Sequence, residues 1–237
     1  MSKTVIKANT RGHADHGWLK ANHSFSFAGY HDDARTHFGA LRVLNDDSIA
    51  AGMGFGTHPH DNMEIITIPL SGALEHKDSM GNHGVIKSGD VQVMSAGSGI
   101  QHSEFNHSKT EGCTLFQIWL FPNKKNVKPR YDQRTLDVTQ RKNKFQQVIS
   151  PNENDEGSWI HQDAWFSMAS MDKDLELQYD LKRNGNGIYL MVIEGEIAVE
   201  GELLQKRDAI EITDITSIKI KASEKSEILL MDVPMKW

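Results

Sequence analysis

The chain reads as an all-β protein built from two similar domains of sandwich or barrel type, and three observations predict this. Short segments rich in Val, Ile and aromatic residues recur at strand length. Turn formers separate them, as in Met80-Gly81-Asn82, Ser88-Gly89-Asp90 and Asn184-Gly185-Asn186-Gly187. No long amphipathic helical pattern competes with them, and many short strands with regular turns make a sandwich or a barrel.

In chain order, strands are expected over 63–69, 89–94, 114–121, 189–193, 209–212, 217–220 and 227–233. A weak internal repeat relates them. Ile66-Thr-Ile-Pro-Leu-Ser-Gly72 precedes a hairpin and then Ser88-Gly89-Asp90-Val-Gln-Val-Met94. Tyr189-Leu-Met-Val-Ile-Glu-Gly195 precedes a shorter hairpin and then Arg207-Asp208-Ala-Ile-Glu-Ile212. Each half gives strand, glycine, hairpin, aspartate, strand, so the expected domains are 1–132 and 133–237. The polar stretch near 133–156 is expected to be an exposed connection.

Composition narrows the function. A net charge of -6 argues against a general nucleic-acid surface. The single cysteine, Cys113, cannot staple its own chain and lies in an apolar strand, so an inert core thiol is expected. The N-terminal residues lack an apolar core of signal-peptide length, and no apolar run is long enough to span a bilayer. A cytoplasmic protein that binds no membrane is the expectation. Of the 12 histidines, only His161 lies beyond His107, so chemistry that uses imidazole belongs to the first half.

Two pairs carry that chemistry, His58-Pro59-His60 and His102-Ser103-Glu104. Residues i and i+2 of a strand point to one face, so each pair offers two ligand heads toward one point. If the two strands face each other across a barrel, all four converge. Three imidazoles and a carboxylate suit Fe(II), Mn, Ni, Cu or Zn. Spacing alone leaves Glu64 as an alternative to Glu104. Gly97-Ser-Gly99 is a tight segment that brings the chain close to a ligand. The offsets of His58 and His60 from Gly72, transferred to Gly195, fall on Leu181 and Arg183, so the second half has the scaffold without the ligands.

These residues resemble a known family. Gly52-x5-His58-x-His60-x3-Glu64-x7-Gly72 resembles the first cupin motif, and Gly89 with Gly99-x2-His102-x3-Asn106 resembles the second. The Glu64 to Gly72 spacing is one longer than usual, and the proline before the second motif's glycine is missing from Ser95-Ala-Gly-Ser-Gly99. Those departures resemble the pirin branch of the cupins. So do Arg11-Gly-His-Ala-Asp-His-Gly-Trp18, His23-Ser-Phe-Ser-Phe27, Gly39-Ala-Leu-Arg-Val-Leu-Asn-Asp46, Gly54-Phe-Gly-Thr-His-Pro-His60, Met94-Ser-Ala-Gly-Ser-Gly-Ile-Gln-His-Ser-Glu104 and Gln117-Ile-Trp119. The resemblance covers essentially the whole chain and is nearest to bacterial pirin-like quercetin 2,3-dioxygenases.

The resemblance implies two cupin-type (jelly-roll) β-barrels, the second degenerate. It places metal ligands at His58, His60, His102 and Glu104, with Glu64 outside the set. The implied cofactor is one divalent transition-metal ion, iron first, with Ni, Mn, Co, Cu and Zn as alternatives. The implied activity is opening of a flavonol such as quercetin with O2, with Glu104 also acting as base toward the substrate hydroxyl. A different class, a metal-dependent regulator that binds a protein partner, is the alternative.

Other residues carry narrower expectations. Glu64 either hydrogen-bonds a ligating histidine or is satisfied by neighbouring backbone. The segment of His13 and His16 is an N-terminal strand packed on the second domain. His76, His83 and His107 lie in loops or exposed strands. Phe25, Phe27 and Phe55 are core. Arg42 pairs with Asp46 or Asp47, or faces solvent.

Overall fold

The computed structural model describes residues 1–236 and is almost entirely β. In chain order the first strands are β1 Ser2–Ile6, β2 Gly12–Asp15, β3 Leu19–His23, β4 Leu41–Ile49, β5 Gly54–His60, β6 Glu64–Ser71, β7 Ala73–Asp78, β8 His83–Lys87, β9 Asp90–Ser95, β10 Ile100–Asn106, β11 Cys113–Leu120 and β12 Arg130–Thr135. The rest are β13 Gln146–Ser150, β14 Ser158–Trp159, β15 Trp165–Met171, β16 Glu176–Asp180, β17 Asn186–Glu194, β18 Glu196–Val199, β19 Glu202–Gln205, β20 Ala209–Thr213, β21 Ser217–Ala222 and β22 Ser226–Pro234.

Each half pairs a seven-stranded sheet with a four-stranded one. In the first half the sheets are β12-β9-β6-β11-β4-β3-β2 and β5-β10-β7-β8. In the second they are β1-β20-β17-β22-β15-β13-β14 and β16-β21-β18-β19. These are the two cupin-type barrels that the sequence predicts.

Strand alternation explains how the halves join. On β6, Ile66 and Ile68 belong to one core cluster with Phe116, Tyr189, Met191 and Leu229, which come from both halves. Ile65, one residue before Ile66 and so on the opposite face, packs instead with Met94 and Ile100 inside the first barrel. On β17, Tyr189 and Met191 enter the shared cluster, whereas Ile188, Leu190 and Val192 fill the second barrel. The two large sheets therefore pack face to face, each buried on both sides, which is why their strands read as continuous apolar runs. The second barrel's interior is filled by aliphatic side chains, including Ile197, Leu204 and Ile220. Its one fully buried acid, Asp232, accepts the Tyr179 hydroxyl at 3.2 Å and the Asn186 amide at 2.6 Å, and among the described residues no group of three candidate metal ligands forms there.

Several expectations need correction. The strand that crosses to the second half is β1, paired with β20. His13 lies on β2, which stays at the edge of the first large sheet beside β3. The stretch near 133–156 is not all exposed connection. It contains β13, whose Val148 and Ile149 are fully buried in the shared core. Arg42 pairs with neither Asp46 nor Asp47; it donates to the backbone carbonyls of Ser26 and Thr36 at 2.7 and 3.2 Å. Asp46 instead forms ion pairs with Arg207 of the second half at 3.1 Å and with Arg11 at 3.6 Å. Among the described residues, no helix is long and apolar enough to cross a membrane.

Candidate metal centre

The two histidine-bearing segments are adjacent strands rather than opposite walls of the barrel. β10 pairs antiparallel with β5, and His102 lies directly across from His58. His60, two residues on, shares their face. The ladder then shifts register, so that Glu104 lies across from Phe55. Such a bulge re-aims side chains next to a site. Gly54 permits the close approach. A Cβ there would meet the Glu104 carbonyl oxygen at 2.2 Å and the Phe105 Cα at 2.4 Å. Pro59, which has no N–H, is tolerated because β5 is an edge strand.

The three imidazoles meet closely. Ring centroids are 4.8 Å apart for His58 and His60, 4.5 Å for His58 and His102, and 4.8 Å for His60 and His102. One ligand atom from each lies within 4.8 Å of the others. The His58 Nδ1 is 2.7 Å from the Gly56 carbonyl, so Nδ1 carries the proton and Nε2 is left with a lone pair. That Nε2 is 3.1 Å from the His102 Nε2. Two nitrogens bound at right angles to one ion at 2.0–2.1 Å would be roughly 3 Å apart. The His60 Nε2 is buried and has no hydrogen-bond partner. Burial, followed by the neighbouring His58, pushes the His60 pKa down to about 4. Burial, then His58, His60 and His76, pushes that of His102 down to about 2. His60 and His102 are therefore neutral near pH 7, as a cation requires of its imidazole ligands. Three converging imidazoles, one with a buried nitrogen that has no protein partner, fit a metal ion.

Glu104 is placed by the opposite sheet. Its Oε2 accepts the Gln117 amide at 2.9 Å and its Oε1 accepts the Thr67 hydroxyl at 3.3 Å. Those partners belong to a polar row across five strands, with His23 opposite Asn45, Asn45 opposite Gln117, Gln117 opposite Thr67, and Thr67 opposite Gln92. All five are buried. Burial raises the Glu104 carboxyl to about 7 despite both hydrogen bonds. Glu104 groups with His102 and His76, whereas the histidine trio groups by itself, so His102 links the two sets.

His76 is the residue that sequence reasoning misplaces. It is fully buried, lies across from Glu104 on β7, and its Nε2 is 3.3 Å from the Asp78 Oδ2. The signal was present: Leu74, His76 and Asp78 alternate, and all three are buried. His83 and His107 are exposed as expected, and both contact Glu75. Glu64 does not touch the trio. Its Oε2 accepts the Ser95 hydroxyl at 2.7 Å. Burial raises its carboxyl to about 7, while Ser95 and the His161 backbone amide oppose the rise. It therefore ties the first barrel to a loop of the second. Cys113 is buried, and burial lifts its thiol to about 11.

An apolar cavity of about 280 Å³ opens on the site, lined by Leu19, Ala21, His23, Phe27, Asn45, Asp47, Phe55, His58, Glu104, Gln117 and Trp119. Phe27 and Phe55 are thus cavity wall, and only Phe25 belongs to the shared core. Trp119 packs edge-on against His60 at 4.9 Å and against Phe27 at 5.3 Å. It also lines a wider depression of about 820 Å³ beside His60. A depression of about 1000 Å³ near Arg183 and Thr216 is larger, but no imidazoles converge on it.

Comparisons with known proteins bear on this arrangement. Residues 5–120 match the Pirin family model, and residues 147–233 match the quercetinase C-terminal cupin domain. A quercetin 2,3-dioxygenase from Escherichia coli K12 is 45% identical over 228 residues, 96% of this chain and 97% of the relative. A pirin-like protein from Caulobacter vibrioides is 42% identical over 222 residues, 93% and 95% of the two chains. The crystal structure of bacterial pirin YhhW from Escherichia coli, in complex with nickel(II), superposes with a TM-score of 0.93 at 42% identity, covering 98% and 99% of the two chains.

Proposed function

The chain belongs to the pirin family, and from that premise we propose that it is a metal-dependent dioxygenase that opens flavonols such as quercetin with O2. In this reading His58, His60, His102 and Glu104 hold one divalent transition-metal ion, with iron first among the candidates. The observation that carries it is the trio of imidazoles with converging nitrogens, of which His58, together with Glu104, lines an apolar cavity. The similarity to quercetin 2,3-dioxygenases and to a nickel-bound pirin supports it.

When bound, the ion supplies Lewis-acid stabilisation of a substrate oxyanion and redox chemistry with O2. The protein's own groups do the rest. Phe27, Phe55 and Trp119 clasp a planar aromatic substrate and keep bulk water from it. Glu104 takes the proton from the substrate hydroxyl. Thr67 and Gln117 hold its two oxygens, so the carboxylate has partners of its own when it is not ligating. A carboxylate bound to a cation is a poor base, so the proton is taken by a Glu104 oxygen free of the ion.

Oxygen consumption with quercetin tests the proposal, using protein loaded in turn with Fe, Mn, Ni, Co or Cu. Uptake is expected with at least one metal and none after chelation. No uptake with any metal overturns the enzyme reading. Glu104→Gln separates the two roles of that residue. Metal retained with turnover down about 100-fold or more supports the base role, and metal retained with unchanged turnover removes it.

A further inference from the structure

The cavity has a second polar end that the candidate ligands do not use. Asp47 lies on β4 between Ala21 of β3 and Leu115 of β11. It lines the cavity, is 4% exposed, and its Oδ1 is buried with no hydrogen-bond partner. The adjacent Asp46 takes Arg11 and Arg207. Asp47 itself sits between two apolar neighbours. A buried carboxyl with no partner is costly, and it marks where a ligand group completes the structure. Water is a poor substitute here, because an ordered water needs several polar partners and the surrounding wall is largely apolar.

The placement also sets a scale. Asn45 lies two residues before Asp47 on the same face, opposite the Gln117 that holds Glu104. Two residues of strand advance roughly 6–7 Å. A planar ligand with one oxygen directed at His58 and Glu104 thus presents groups on the far side of its ring system to Asp47. The Trp119 indole N–H, buried and likewise unpartnered, belongs to the same wall.

We propose that Asp47 is the specificity-determining residue of this cavity, hydrogen-bonding a second hydroxyl of the aromatic substrate, one distinct from the hydroxyl directed at the metal centre. This rests on the flavonol reading above and adds to it the requirement for a polyhydroxylated substrate. A site built to hydrogen-bond a substrate hydroxyl rejects the analogue that lacks it, because its own polar group is then left unpaired.

The test is equilibrium binding, read by quenching of tryptophan fluorescence without O2, on metal-loaded wild type, Asp47→Leu and Asp47→Asn. The probes are quercetin and 3-hydroxyflavone, which shares the metal-directed hydroxyl and lacks the others. Wild type is expected to bind quercetin at least about tenfold more tightly. Asp47→Leu is expected to bring the ratio of the two Kd values close to one, and Asp47→Asn to lower it several-fold. If Asp47→Leu fails to fold, the near-isosteric Asp47→Asn carries the test. A ratio that the folded variants leave unchanged, or that is near one in wild type, overturns the inference while the flavonol reading stands. Binding of neither flavonol by wild type overturns both.

Discussion

At the scale of single residues, the histidine trio is an arrangement that favours a cation. The His58 Nε2 presents its lone pair because Nδ1 is committed to Gly56, and the His60 Nε2 has no partner in the protein. A ligand that binds only the folded state adds RT ln(1 + [L]/Kd), about 4 kcal/mol at a thousandfold excess over Kd. Chelation is therefore expected to lower the melting temperature by several degrees. His102→Ala removes the nitrogen shared by both ligand groups. Its metal content should fall at least about tenfold, and chelation should no longer move its melting temperature. Calorimetry beside elemental analysis checks both. A chelation shift that persists in His102→Ala would place the ion elsewhere. The pair spacing made His58, His60 and His102 legible in the sequence, because i and i+2 share a face. His76 was not, since a lone histidine beside Glu75 and Lys77 reads as surface; only its alternation with Leu74 and Asp78 marks the inward face.

At the scale of elements, the short apolar strands flanked by turn residues were readable, and β6, β9, β11, β17 and β22 lie where the pattern puts them. The adjacency of β5 and β10 was not readable, because strand order is a tertiary fact and two ligand pairs are equally compatible with facing or neighbouring strands. β13 was hidden because Val148 and Ile149 are a short apolar core inside a polar composition. The β5–β10 contact yields its own prediction. At Gly54 an added Cβ would overlap the β10 backbone, whereas at Gly56 nothing lies within 4 Å. Gly54→Ala must push β5 off β10 and carry His58 and His60 away from His102. It is expected to cost about 1–3 kcal/mol by overpacking and to weaken metal binding at least about tenfold, as loss of supporting contacts does. Gly56→Ala should do neither to a comparable degree. Equal metal affinity in both variants would refute the idea that this strand contact sets the trio.

At the scale of the whole molecule, the two large sheets share one core, so a charge facing that interface matters to both halves. Glu211 is such a charge. It lies on β20, across from Thr4 of β1 and Tyr189 of β17. Its strand neighbours Ile210 and Ile212 fill the second barrel, which directs Glu211 with Tyr189 toward the first half. Burial raises its carboxyl to about 7, and Arg35 only partly opposes the rise. A raised carboxyl pKa means that the folded chain holds the proton more tightly than the unfolded chain does. Its contribution is therefore most favourable below the unfolded value of 4.5, declines as pH rises to about 7, and is constant above that. Glu211→Gln keeps the shape and removes the ionisation. It is expected to be more stable than wild type above pH 7, by on the order of 1–2 kcal/mol after allowance for partial solvation. The advantage should shrink toward zero near pH 4.5. Chemical denaturation at several pH values between 4.5 and 8 measures the difference directly. Several other buried carboxyls, Glu64, Glu104, Asp47 and Asp232 among them, are raised in the same direction. The wild-type curve alone therefore cannot isolate Glu211, and the variant-minus-wild-type difference is the diagnostic quantity. A difference independent of pH would mean that Glu211 is ionised and paired across the interface, with Arg35 compensating fully for its burial.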